Sequence, residues 1–435
     1  MKLFTINFIM KKKLLSILLC LTMAVGLLPV SVWAAEPAHK HCICGLGTAE
    51  EHIIHTHRVD TEWVGISSLD EISSGSSYYY LKNNVTISKS WNPPDKTVLC
   101  LNGYSIICSA SEDVIKVSAD KRLTLTDCST NKTGKITHTS GATGRGISNN
   151  GGTVTIWGGS VCDNSIKSVG AGIYNSSSAF LYMYGGSISN NRLIDYNHGA
   201  GVYNEGRFEM RGGTISGCYA NGSGAGIFNY KGIFTMSGTA AIKDNYTDPD
   251  NHSAYGGGVD NYLGTFVMLG GEISGNRSNC GGGVCNYADA YSTAATKSAT
   301  FTMTGGTISN NTADAAGGGV FSVADKEASA EFLMAGTAVI TDNKAANGGG
   351  VCISSGGSKM TMSENALISN NTASDSTDVS NGNGGGIYFS GSGYSGYGTL
   401  EMKNGAVSEN NARRGGGIYV NRGKLNASGG KILGN

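Results

Sequence analysis

Apolar positions along this chain fall into three short alternating segments that return together, separated by Gly, Asn and Ser. One has the form G-G-x-I-S-x-N, as in Gly185-Gly186-Ser187-Ile188-Ser189-Asn190-Asn191. Its apolar position recurs at Val161, Ile188, Ile215, Ile242, Ile273, Ile308, Ile340, Ile368, Val407 and Ile432, with three successive spacings of 27 residues at the start. A second follows the form of Gly199-Ala200-Gly201-Val202-Tyr203-Asn204, with apolar positions at Ile147, Ile173, Val202, Ile227, Val259, Val284, Val320, Val351, Ile387 and Ile418. A third ends in Met in most periods, as in Tyr182-Met183, Glu209-Met210 and Thr302-Met303. Short alternating segments bounded by turn residues predict strands, and a fixed internal period predicts a solenoid.

The expected fold is all-β: a right-handed parallel β-helix (a β-solenoid) of about ten or more coils, each of three short strands, stacked ~4.8 Å apart. Helical repeats need apolar residues at 3.6 spacing over long runs, and Gly inside helices costs about 1 kcal/mol each. A propeller needs blades of about 40–45 residues. In the solenoid, Ile and Val point inward and Gly permits close approach. Asn164, Asn191, Asn245, Asn276, Asn311, Asn343, Asn371, Asn410 and Asn435 share a turn position, which predicts an Asn ladder interrupted by Cys218.

Four regions follow. Residues 1–34 read as a signal peptide, with Lys11-Lys12-Lys13 before an apolar Leu14–Leu28 and Val32-Trp33-Ala34 before cleavage. Residues 35–62 form a His/Cys-rich leader, 63–133 an N-terminal cap with irregular first coils, and 134–435 the repeats. The chain stops within a coil, so a fragment of a longer protein is expected. Export is therefore the expected localisation, secreted or, in a longer form, associated with the cell wall.

Composition narrows the partners. Formal net charge is zero over 435 residues, with 15% charged residues. Removing the signal segment, which holds four lysines and no acids, leaves a net −4. No basic stripe points to nucleic acid, and no later stretch is long enough to span a membrane. Eleven cysteines are too sparse for a small disulfide scaffold. Cys100 and Cys128, one coil apart, are placed to stack or bond.

Candidate chemistry is sparse. Cys42, Cys44, His52, His55 and His57 in the leader offer two thiolates and two imidazoles for structural zinc, against a plain His-rich leader or a disulfide. The Asp248-x-Asp250 loop offers weak calcium ligation without EF-hand spacing. The position after each inward Ile or Val of the second segment holds Tyr174, Tyr203, Phe228, Phe321, Tyr388 and Tyr419, with Asp260, Cys285 and Cys352 between. Alternation places this set on one outer face, a stripe suited to a glycan or peptide. Stacking of like residues for sheet packing alone is the competing explanation. The Met column reads as core filling. An enzyme would need carboxylates at one slot in adjacent coils, either holding calcium beside a basic residue or paired for hydrolysis. Glu209 and Glu401 share a slot many coils apart. Asp163 and Asp244 share a turn slot with Asn190 and Gly217 between them. Arg192, Asp195 and His198 cluster only within one connection. No catalytic residue is assigned.

The signal segment, the His/Cys leader, Leu99-Cys100-Leu101-Asn102-Gly103, Leu123-Thr124-Leu125-Thr126-Asp127-Cys128 and the G-G-x-I-S-x-N coils together resemble secreted, repeat-rich β-helix proteins of gut Gram-positive anaerobes. The coils are also similar to those of bacterial adhesins and, more loosely, to the pectate-lyase superfold. The resemblance implies an adhesin-like surface protein that binds glycans or a host or matrix surface. A carbohydrate-active enzyme (polysaccharide lyase or glycoside hydrolase) and a purely structural stalk remain the alternatives.

Overall fold

A computed structural model describes residues 62–73, 78–291, 297–325, 327–374, 378, 380–390 and 397–435. The signal segment and nearly all of the leader lie outside these residues, including the zinc candidates Cys42, Cys44, His52, His55 and His57.

The described chain is an all-β, right-handed parallel β-solenoid, and the solenoid itself is what its periodicity predicts. Each coil contributes strands to separate sheets, and strands at the same position in successive coils pair in parallel. The Met-ending segments build a 14-stranded sheet from Val64–Ile66 to Gly423–Ala427. The G-G-x-I segments build a 13-stranded sheet from Val85–Ile87 to Lys431–Leu433, and the I-Y-N segments an 11-stranded sheet from Ile115–Val117 to Ile418–Val420. These are called the Met, Ile and Tyr sheets below. The structure adds a fourth, nine-stranded sheet from Ser165–Ile166 to Asn411–Ala412. Its early members are only two residues long, too short for alternation to reveal.

Register is set by burial on one face. Ile188 pairs with Ile215 and Met236 with Met268, so each inward residue lies over its equivalent. A slip by one residue would turn these columns outward. Beside the Met column, Phe208, Phe234, Phe266, Phe301 and Phe332 form a buried stack with ring centroids 4.7–5.0 Å apart. That separation is the spacing between paired strands, so the coil rise itself stacks the rings.

The Asn ladder is present. The Asn276 side chain donates to Asn311 Oδ1 at 3.0 Å and to the Ile242 carbonyl at 3.0 Å, and the backbone N–H of Asn276 also donates to Asn311 Oδ1 at 2.9 Å. The same set recurs from Asn311 through Asn343 and Asn371 to Asn410. At Cys218 the backbone N–H still donates to Asn245 Oδ1 at 3.0 Å, but a thiol replaces the amide. The residue before each ladder position, Cys218 included, has positive φ: Asp163 57°, Asn190 54°, Gly217 64°, Asp244 56°. Asp, Asn and Gly tolerate this left-handed conformation best. Backbone conformation therefore explains why Asp163 and Asp244 share their slot.

Candidate functional site

The Tyr sheet positions the candidate residues. Register runs Tyr174, Tyr203, Phe228, Asp260, Cys285, Phe321, Cys352, Tyr388, Tyr419, one beside the next. The six aromatic residues singled out from the sequence thus share one column, but the column is not an open stripe. Tyr174, Tyr203, Tyr388 and Tyr419 are half-buried, whereas Phe228 and Phe321 are buried, as are Asp260, Cys285 and Cys352.

The cover comes from the glycine-rich turn that precedes each strand. Gly256 has φ 62°. At Gly258 a Cβ would lie 2.6 Å from the Gly283 carbonyl oxygen, so neighbouring turns approach too closely for a side chain. These turns fold the preceding residue back over the column. The His198 ring stacks on Phe228 with centroids 4.6 Å apart, and Tyr255 stacks on Phe321 at 6.1 Å. Cys280 packs against Cys285, Phe321 and Cys352. Asp260, sealed in this layer, has its carboxyl pushed up to about 7 by burial, and its Oδ1 has no hydrogen-bond partner.

A second aromatic series lies two residues further along the same strands. Tyr230 and Tyr262 stack at 5.7 Å, and Tyr262 meets Tyr287 edge-on at 5.3 Å. It joins the first series through Tyr203–Phe228 at 5.4 Å and Phe228–Tyr230 at 6.2 Å. The result is one aromatic field running diagonally from Tyr174 to Tyr287. Tyr230, Tyr262 and Tyr287 were missed in the sequence, although a repeated Asn-Tyr dipeptide marks them. The Asn of that dipeptide forms a second buried ladder, also unforeseen. It runs from Asn149 through Asn175, Asn204, Asn229 and Asn261 to Asn286, at 2.7–2.8 Å.

The field carries a polar rim. The Tyr174 hydroxyl donates to Glu205 at 2.7 Å, the Tyr262 hydroxyl to Asp289, and the Tyr287 hydroxyl to Asp325 at 3.3 Å. Burial, followed by the Glu205 hydrogen bond and charge, pushes the Tyr174 phenol up to about 12, and burial raises Tyr203, Tyr262 and Tyr287 as well. The phenols stay neutral donors at ordinary pH. Burial, with the Asp289 charge, also raises the Asp325 carboxyl. Two cations lie over the rings, Arg145 5.2 Å from the Tyr174 centroid and Lys231 4.4 Å from that of Tyr230. Beside them, at the corner with the Met sheet, a shallow groove is lined by Phe180, Glu205, Arg207, Lys231 and Ile233.

The other candidates do not assemble. Arg192 lies on the Tyr219 ring at 4.1 Å, Asp195 faces Lys167 at 4.0 Å, and His198 turns inward onto Phe228. Glu209 pairs with Arg211 and Glu401 with Lys359, both at 3.1 Å. Asp248 Oδ1 accepts the N–H of Asp250 at 3.1 Å, a local turn. Among the described residues no group of three or more His, Cys, Asp or Glu side chains is placed to hold a metal ion. Among them, too, no helix is long and apolar enough to cross a membrane. No family model, curated protein or solved structure significantly matches the chain.

Proposed function

We propose that this β-solenoid is an exported, adhesin-like protein that binds a glycan, or a glycan-bearing cell or matrix surface, across the aromatic field of the Tyr sheet. The carrying observation is the continuity of Tyr174, Tyr203, Phe228, Tyr230, Tyr262 and Tyr287 beside a groove lined by Glu205, Arg207 and Lys231. Sugar rings present C–H faces that pack on aromatic rings, and their hydroxyls need donors and acceptors at the edges. Neutral phenols, carboxylates and two basic side chains supply both kinds of contact. The strands hold the rings and Arg207 more firmly than loops would, and Glu205 and Lys231 stand in the short turns that join them. The field crosses five successive coils, from Tyr174 to Tyr287, which fits an extended polymer better than a small molecule.

The test is a glycan array with the full chain, followed by titration of any ligand found. The double variant Tyr230→Ala/Tyr262→Ala is expected to weaken binding at least about tenfold, roughly 1.4 kcal/mol. Unchanged affinity would remove the Tyr174–Tyr287 field from the reading. An array on which no glycan is retained would overturn glycan binding itself. Substituting Tyr388 and Tyr419 separates the two ends of the column, since loss there alone would move the site to the last coils.

A further inference from the structure

The cap holds two cysteines that the aromatic field does not use. Cys100 ends the strand Thr97–Cys100, which pairs with Arg122–Thr126 in the next coil. Cys128 lies two residues beyond that partner strand. The two sulfur atoms are 2.9 Å apart, and the Cys128 N–H donates to the Cys100 sulfur at 3.4 Å. Both side chains are buried, Cys100 completely. A disulfide bond is about 2.05 Å long, so closure asks each sulfur to move by roughly half an ångström.

We propose that Cys100 and Cys128 form a disulfide that staples two adjacent coils of the N-terminal cap. The oxidant is a disulfide-bearing exchange partner. One protein thiolate attacks it, forming a mixed disulfide and releasing one thiol. The second protein thiolate then displaces the other thiol, so the protein loses two protons and two electrons and the partner becomes two thiols. Exchange requires an accessible thiolate, and this pair is sealed once the coils have stacked. The bond therefore forms while the cap folds, and the finished coil protects it from reductants. Its place gives it a purpose. The strand that ends in Cys100 lies between Tyr78–Leu81 and Arg122–Thr126 among the irregular first coils, and a cross-link closing a loop of 28 residues removes freedom from the unfolded cap. The proposal does not depend on glycan binding.

The full chain is refolded with oxidised and reduced glutathione, denatured, blocked with an alkylating agent without reduction, digested and analysed by mass spectrometry. The expected product is one peptide pair joined through Cys100 and Cys128, two hydrogens lighter than the separate peptides. In the folded protein that bond is expected to resist dithiothreitol that reduces it once guanidinium is added. Reduction should lower Tm by several degrees in the wild type but not in Cys100→Ser or Cys128→Ser. Alkylation of both residues, or a bond from Cys128 to Cys42 or Cys44 instead, would overturn the proposal. Mapping the wild type needs no variant, so a misfolded substitution cannot hide the answer.

Discussion

Two columns of rings run along this solenoid, brought together by the same coil rise but covered differently. Inside, Phe208 to Phe332 stack at 4.7–5.0 Å and are buried. On the Tyr sheet, Tyr174 to Tyr262 stack at 5.4–6.2 Å and Tyr287 closes the series edge-on at 5.3 Å, with hydroxyls donating to carboxylates at the rim. The coil rise produces ring stacking in both, so stacking alone says nothing about ligands. What separates the columns is what covers them. The phenylalanines face other inward side chains. The tyrosines keep one edge in water, whereas Phe228 and Phe321 are covered where a glycine turn folds His198 or Tyr255 across the column.

The largest expected effect lies inside. Phe266→Ala removes the centre of the buried stack and should destabilise the protein by about 3–5 kcal/mol. Tyr230→Ala, in the outer series, should cost under about 1.5 kcal/mol, the scale of one aromatic pair. Denaturant titration of both checks the contrast, and equal losses would break it.

Asp260 sharpens the comparison next, because it occupies the outer column yet is sealed. Its folded pKa is raised from 3.8 to about 7. Between those values the native state binds more protons than the unfolded state, so stability is full at low pH and falls as pH rises toward 7. Asp260→Asn should gain on the order of a few kcal/mol over wild type at pH 8 and little at pH 4. A difference that does not vary with pH would mean the middle of the column is wet.

The smallest effect concerns Cys218. Gly201 faces this thiol as Gly258 faces Asn276, so Cys218→Asn has room to restore the interrupted ladder. A gain of about 0.5–1.5 kcal/mol is expected, the net value of one buried hydrogen bond. Thermal denaturation measures it, and a loss would show that the slot cannot seat the amide.

Periodicity revealed the coil, the inward Ile and Val columns and the Asn ladder, because each position repeats the same requirement in every period. It also placed Tyr174, Tyr203, Phe228, Phe321, Tyr388 and Tyr419 on one column. It did not reveal that Phe228 and Phe321 are covered, because the cover comes from turn residues that vary in type: His198, Tyr255, Cys280. It overlooked Tyr230, Tyr262 and Tyr287 because they occupy their slot in only part of the chain, with Glu205 before them and Val323 after. The second ladder fails at the same place, where Ser322 is buried without a partner for its hydroxyl.

The sequence by itself determined the solenoid, since inward burial and left-handed turns are local demands that each period must meet with its own residues. Tertiary structure alone decided which rings meet water, whereas the meeting of Cys100 and Cys128 was legible in their one-coil spacing and the structure supplied its distance. Exposure along the Tyr sheet depends on how far one coil's turn reaches over the next, and that distance is set by stacking between coils.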